Sequence, residues 1–193
     1  MKQDKEAILY RIIRPIITVV FKYLFTPKII GKENIPKEGR IILAGNHTHI
    51  FDSLLLISTT KRSIHFLAKN ELWKGSKKII FSNLGLIPVN RKAKDHKALE
   101  SAINYLNNDK LIGIFPEGTT EKGKGMLPFK IGAIKMAKEA NSKIIPFGIS
   151  GSYQLFSKDL KIIFGEPIEI KDNYLEKEKQ ILESVVKKLR GGL

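Results

Sequence analysis

The stretch Ile41-Ile42-Leu43-Ala44-Gly45-Asn46-His47-Thr48-His49-Ile50-Phe51-Asp52-Ser53-Leu54-Leu55-Leu56-Ile57-Ser58-Thr59-Thr60 decides the fold. Its first residues form an apolar run that reads as a strand, and its second half predicts a helix over 52–60. A strand that passes through a turn into a helix sets polar side chains at the strand's C-terminal edge, where open α/β sheets bind ligands. His47 and Asp52 stand five positions apart, a spacing that an unbroken helix does not align but a tight turn through 48–51 does. A carboxylate bonded to one imidazole nitrogen fixes the tautomer and leaves the other nitrogen as a base. It also stabilises the imidazolium formed when that base takes a proton. Two other readings stay open on these residues. Asp is a preferred helix cap, which leaves His47 a plain turn residue. Alternatively, His47, His49 and Asp52 begin a metal-dependent hydrolase site; such sites usually take three or four protein ligands, and His65 and His96 stand apart.

Outward from this stretch, short apolar runs alternate with helical patterns. Strands are expected at 41–45, 64–69, 86–90, 111–115, 144–149 and 160–164, and helices at 52–60, 72–82, 95–106, 129–139 and 174–190. The alternation predicts an α/β fold, a sheet with helices packed on its faces. Residues 28–39 read as a turn-rich connection, and one domain is expected over 31–193 after an N-terminal segment over 1–30. No internal repeat or low-complexity linker interrupts it.

The N-terminal segment 7–25, AILYRIIRPIITVVFKYLF, is apolar except where Arg11, Arg14, Thr18 and Lys22 fall on one narrow helical stripe. The charges recur too often for a membrane-spanning helix, which wants ~20 predominantly apolar residues. An interfacial helix fits, with its cations toward lipid headgroups and its apolar residues dipping inward. The alternative is an amphipathic helix packed on its own domain. Pro15 is expected to divide the segment into two helical pieces, or to open the second as its first residue. Lys and Arg number 34 against 19 Asp and Glu, a net charge of +15 that attracts polyanions, whether nucleic acid, an anionic bilayer or an acidic carrier. Cysteine is absent, which excludes disulfides and thiolate metal sites.

Three further runs complete the picture. Gly85-Leu86-Ile87-Pro88-Val89-Asn90-Arg91 ends a strand on an Arg, whose planar fork of donors suits a phosphate. Phe115-Pro116-Glu117-Gly118-Thr119-Thr120 leaves another strand; Pro116 cannot continue a ladder and Gly118 admits backbone angles closed to other residues, so Glu117 is held at a defined bend. Lys122, Lys124 and Lys130 follow and would supplement an anion site. Ile144-Ile145-Pro146-Phe147-Gly148-Ile149 carries no titratable group and reads as a wall or strand.

Taken in order, Asn46-His47-x4-Asp52, Gly85-x-Ile87-Pro88-Val89-Asn90-Arg91, Phe115-Pro116-Glu117-Gly118-Thr119 and Ile145-Pro146-Phe147-Gly148-Ile149 resemble the four-block signature of the glycerolipid acyltransferases. The likeness is greatest to the bacterial 1-acylglycerol-3-phosphate acyltransferases and extends to Gly31-Lys32-Glu33-Asn34-Ile35-Pro36 and Pro128-Phe129-Lys130. The resemblance implies a mixed sheet flanked by helices, preceded by a membrane-docking helical element. It implies His47 as base, Asp52 as its orienting partner, Arg91 on the acceptor's phosphate, and Glu117, Gly118 and Thr119 shaping the acceptor site. No metal or tightly held cofactor is implied. By the same likeness the acyl group would arrive on coenzyme A or acyl carrier protein, the acceptor would be lysophosphatidic acid or another lysophospholipid or aminolipid, and the enzyme would sit at the cytoplasmic face of the membrane without binding nucleic acid. Two positions depart from the pattern: Thr120 stands where many relatives carry Arg, and His49 where they carry a small polar residue.

Overall fold

The structure, a computed structural model, describes residues 2–73, 83–90, 95–121, 123, 125–171 and 174–192. Seven strands, β1 (Lys28–Ile30), β2 (Ile41–Gly45), β3 (Ile64–Lys69), β4 (Ile87–Val89), β5 (Leu111–Ile114), β6 (Lys143–Ser150) and β7 (Lys161–Phe164), form one sheet in the order β1-β7-β6-β2-β5-β3-β4. Every neighbouring pair is parallel except β6 with β7. The helices are α1 (Lys2–Val20), α2 (Asp52–Thr59), α3 (His96–Asn107), α4 (Gly132–Glu139) and α5 (Leu175–Gly191).

The strand period of two divides the core into layers. Ile41 and Leu43 of β2 join Ile64, Phe66, Ile145, Phe147 and Ile149 beneath α1 and α2. Ile42 and Ala44 point the other way, joining Ile112 and Ile144 beneath α3, α4 and α5. Burial on both faces is why these strands are nearly continuous apolar runs. At Gly148 a Cβ would lie 2.3 Å from the backbone nitrogen of Arg190, so the bare backbone of β6 is what lets the end of α5 lie against it.

The chain departs from the sequence reading in four places. First, α1 runs unbroken through Pro15. The ring removes one intrahelical bond, but Tyr10 donates its hydroxyl to Arg62 O at 3.0 Å and Arg14 Nε donates to Thr60 O at 2.6 Å, which moors the turn of helix just before the proline to the domain. The same bonds turn Arg14 toward the domain, and Thr18 Oγ1 donates back to Arg14 O, so the polar stripe is only partly outward. Second, a π-helical turn over Phe21–Phe25 follows and buries both of its phenylalanines. Third, the connection over 28–39 contains β1, an edge strand of three residues, fastened by Asn34 Nδ2 donating to Phe164 O and Gly165 O. Fourth, α4 begins at Gly132 rather than 129: Lys135 N donates to Ile131 O at 3.1 Å at the start of the helix, while the N–H groups of Phe129 and Lys130 fasten the preceding segment to Glu183 Oε2 and Pro116 O. The helix expected at 72–82 opens as a 3₁₀ turn, Asn70–Trp73, and then passes outside the described residues. Among the described residues no helix is long and apolar enough to cross a membrane.

His65 is a buried titratable group on β3, the strand between β5 and β4. Its Nδ1–H donates to Gly85 O at 2.9 Å and its ring lies 4.3 Å from that of Tyr105. Burial pushes its pKa down to about 4 from 6.5, against the pull of the Gly85 bond. Because the folded value lies below the unfolded one, the unfolded chain takes up a proton first as pH falls, and stability is lost between about 6.5 and 4. The full shift corresponds to roughly 3 kcal/mol. Urea midpoints measured over that range should fall steeply for the parent chain and more gently for His65→Asn, whose amide can replace the donor. Parallel curves would remove His65 as the cause.

Candidate active site

The C-terminal end of β2 is clipped to β6 by Asn46, which is fully buried: its Nδ2 donates to Ile149 O at 2.9 Å and its Oδ1 accepts from Ile149 N at 2.7 Å. From this fixed point the chain turns sharply through 48–51, and Asp52 N donates to His49 O at 3.1 Å. Asp52, the first residue of α2, is fully buried. It does not cap its own helix but reaches back into the turn. Oδ2 accepts from Thr48 N at 2.6 Å, His49 N at 2.8 Å and His47 Nδ1 at 2.8 Å. Oδ1 accepts from Thr48 Oγ1 at 3.0 Å and from the Tyr153 hydroxyl at 2.5 Å. A buried carboxylate is tolerable when charge-assisted donors surround it, and here all come from the turn and from Tyr153.

This network decides the chemistry of His47. Nδ1 faces a carboxylate and so carries the proton, which places the lone pair on Nε2. The imidazole lies nearly flat on Phe115, with ring centroids 4.1 Å apart and planes 14° from parallel, and its side chain keeps 16% exposure. It is therefore fixed in tautomer and plane while one edge stays accessible.

Glu117 works on the backbone of the same residue. It is 4% exposed; Oε1 accepts from His47 N at 2.7 Å and Oε2 from Leu127 N at 2.7 Å. Burial pushes its carboxyl above the ordinary range, and those two backbone donors pull it back. Glu121 N donates to His47 O at 2.9 Å, so the peptide groups on both sides of His47 are held by the segment after β5. The bend that delivers Glu117 depends on Gly118, which has φ +75° and whose N–H bonds Phe115 O at 2.9 Å. A Cβ at Gly118 would also come within 2.9 Å of Lys130 Nζ, which brings that exposed cation to the site. Thr119 is exposed beside the bend and Thr120 is half-buried. Arg91, like Lys92, Lys94, Lys122 and Lys124, lies outside the described residues.

His49 points into an aromatic group rather than toward a shared centre with His47. Its Nδ1 accepts from Phe51 N at 3.2 Å, and its ring stacks on Tyr153 at 4.8 Å. The hydrolase alternative needs Asp52 and both imidazoles free to ligate, whereas Asp52 already accepts five hydrogen bonds. Among the described residues no three His, Asp or Glu side chains are arranged to hold a metal ion. The sequence reading passed over three contributors: Thr48, the stacking role of Phe115, and Tyr153. The first two sat inside motifs already singled out. Tyr153 left no signal in spacing beyond its position just after β6.

A mooring carboxylate, an imidazole with one free nitrogen and a backbone clamp form an arrangement that can take up a proton at the C-terminal edge of a sheet. The acyltransferase family model matches residues 26–150, and the chain belongs to that family. It is similar to the 1-acyl-sn-glycerol-3-phosphate acyltransferase of Borreliella burgdorferi, 35% identical over 145 residues that are 74% of this chain and 57% of that protein. The protein of the same name from Bacillus subtilis is 30% identical over 154 residues, 75% of each chain. The chain thus spans between about half and three-quarters of the length of these relatives. The fold matches the crystal structure of the 1-acyl-sn-glycerophosphate acyltransferase from Thermotoga maritima with a TM-score of 0.78, covering 97% of this chain and 80% of that one at 24% identity.

Proposed function

We propose that the chain transfers an acyl group from a thioester to the free hydroxyl of lysophosphatidic acid, giving phosphatidic acid for phospholipid synthesis. The observation that carries this reading is the His47 Nδ1–Asp52 Oδ2 bond of 2.8 Å, which leaves Nε2 to act as base. The acceptor hydroxyl holds its proton at neutral pH. His47 removes it as the oxygen attacks the thioester carbonyl, a role that contributes typically ~10²–10⁴-fold. The tetrahedral intermediate collapses with loss of the thiol, and the imidazolium returns its proton to the departing sulfur. Glu117 and Gly118 serve by fixing His47 and the bend beside it, Thr119 borders the acceptor, and Arg91 with Lys130 meets its phosphate. The acyl donor is a thioester of coenzyme A or of acyl carrier protein, and the net charge of +15 suits either acidic donor.

The test is a mass-spectrometric transfer assay that pairs lysophosphatidic acid with each donor. Phosphatidic acid supports the reading and identifies the donor. No product from folded, lipid-bound protein overturns the acceptor assignment; other lysophospholipids, to which Thr120 in place of Arg points, are then the candidates.

The reading also sets the enzyme on the cytoplasmic face of a membrane. Ile12, Ile16, Val19 and Tyr23 form an exposed stripe along α1 and the turn after it, and Ile50, Leu155 and Phe156 are exposed as well, Ile50 at 74% and Phe156 at 71%. These segments touch: Phe156 N donates to Leu24 O at 2.6 Å, and Phe25 lies 6.0 Å from Phe51 of the catalytic turn. A contiguous apolar surface next to Lys22 and Lys158 suits an anionic bilayer. Replacing both Leu155 and Phe156 by Ser should weaken sedimentation with phosphatidylglycerol vesicles at least about tenfold, since ~1.4 kcal/mol is a factor of ten and each such side chain gains ~1.5–3 kcal/mol on full burial. Unchanged partitioning would take this loop out of the lipid contact.

A further inference from the structure

Tyr153 lies 101 residues from Asp52 in sequence and donates its hydroxyl to Asp52 Oδ1 at 2.5 Å. That is the carboxylate oxygen opposite the one bonded to His47. The ring is gripped on several sides: edge-on by Phe21 at 6.4 Å, Phe25 at 6.0 Å and Phe51 at 5.9 Å, and stacked by His49 at 4.8 Å. Burial, and then the charge of Asp52, pushes the phenol far above its ordinary value, so it stays protonated and acts toward the carboxylate as a donor. Such a bond does two things. It fixes the carboxylate's plane, which aims Oδ2 at Nδ1, and it draws negative charge toward Oδ1, away from the imidazole.

We infer that Tyr153 is a positioning residue of the acyl-transfer reaction, which by bonding Asp52 Oδ1 aims the carboxylate at His47 and draws its charge away from the imidazole. Among the described residues, the charged or titratable groups that face His47 are few. Asp52 comes from α2; Glu117 bonds its N–H, and Glu121, paired with Arg190, bonds its carbonyl through the backbone. Lys130 stands at Gly118, His49 belongs to the same turn, and the π-helical turn offers only the rings of Phe21 and Phe25. Of these, Asp52 alone bonds the Tyr153 hydroxyl, so the effect of removing that oxygen reaches His47 through the carboxylate.

The experiment compares the parent chain with Tyr153→Phe, following the His47 imidazole by nitrogen-15 NMR and the pH profile of kcat/KM. The kinetic arm rests on the proposed acyl transfer; the NMR arm does not. With the hydroxyl gone, Asp52 stabilises the imidazolium more strongly. The His47 titration midpoint and the acid limb of the profile should rise together by about half a pH unit, and the plateau should fall roughly three- to tenfold. Replacing Tyr153 by 3-fluorotyrosine keeps the ring, strengthens the O–H donor and should move the midpoint down; this variant carries the test if the phenylalanine chain does not fold. A midpoint unmoved in either folded variant overturns the inference, whatever happens to turnover. A shifted midpoint in a protein that forms no phosphatidic acid would sustain the positioning role and overturn the assigned reaction.

Discussion

His47→Ala should abolish acyl transfer, lowering kcat/KM by at least about 10³-fold while the protein stays folded. The loss exceeds a single general-base contribution because the imidazole has two duties in the proposed cycle, taking the proton from the acceptor and returning it to the leaving thiol. Stability should change little. The ring stacks on Phe115, and its loss still leaves Asp52 the donors Thr48 N, Thr48 Oγ1, His49 N and the Tyr153 hydroxyl. His47→Asn sharpens the test. Its amide can still donate to Asp52 from near the position of Nδ1, but it has no basic nitrogen on the far side. If Asp52 mattered only as a structural anchor satisfied by residue 47, the asparagine variant would keep activity. If Nε2 is the base, it should be as inactive as the alanine variant at an unaltered melting temperature. Appreciable turnover in the asparagine variant, measured as phosphatidic acid formed, would sink the mechanism.

How much of this was legible beforehand depends on whether a residue's role is local. The run from Ile41 to Thr60 declared strand, turn and helix because both faces of β2 are buried and the turn is closed within six residues by Asp52. The four blocks fall at or near the C-terminal ends of β2, β4 and β5 and along β6, and the first and third of them converge on His47. Long-range contacts stayed hidden. Pro15 looked like a helix breaker because the bonds from Tyr10 and Arg14 to the α2–β3 connection have no trace in sequence. The start of α4 was misplaced because the segment before it is tied by Phe129 and Lys130 to the distant Glu183 and Pro116, contacts that local spacing does not carry. Tyr153 was missed for the same reason: its bond to Asp52 spans 101 residues, and nothing in the loop sets it apart from Phe156 three positions on. For Glu117, sequence established the bend but not the direction in which its carboxylate points.

That direction yields a second prediction of large effect. Glu117 faces two backbone donors, His47 N and Leu127 N, each at 2.7 Å, and is almost wholly buried. Glu117→Gln keeps the shape but supplies one oxygen and one amide NH₂ to a site built for two acceptors, so one donor must face another. The unpaired N–H should cost about 1–3 kcal/mol of stability, and Glu117→Leu, which abandons both, should cost roughly twice that. The consequence for catalysis follows from which N–H is lost. If the amide turns its oxygen to Leu127, the backbone of His47 is released on one side, and a displacement of about 1 Å at a base is enough for ~10²-fold in rate. If it turns its oxygen to His47, the base stays in place and the loop at Leu127 loosens instead. A buried group that clamps the base lowers kcat and the melting temperature together, with the acceptor's KM nearly constant. A side chain that binds the acceptor directly raises KM and leaves the melting temperature alone. Steady-state kinetics over a range of lysophosphatidic acid concentrations, beside thermal unfolding of the same preparations, separates the two. The hydrogen bonds of Glu117 require the first pattern in Glu117→Leu, which releases both N–H groups, and a pure rise in KM would show that the carboxylate leaves the backbone to meet substrate.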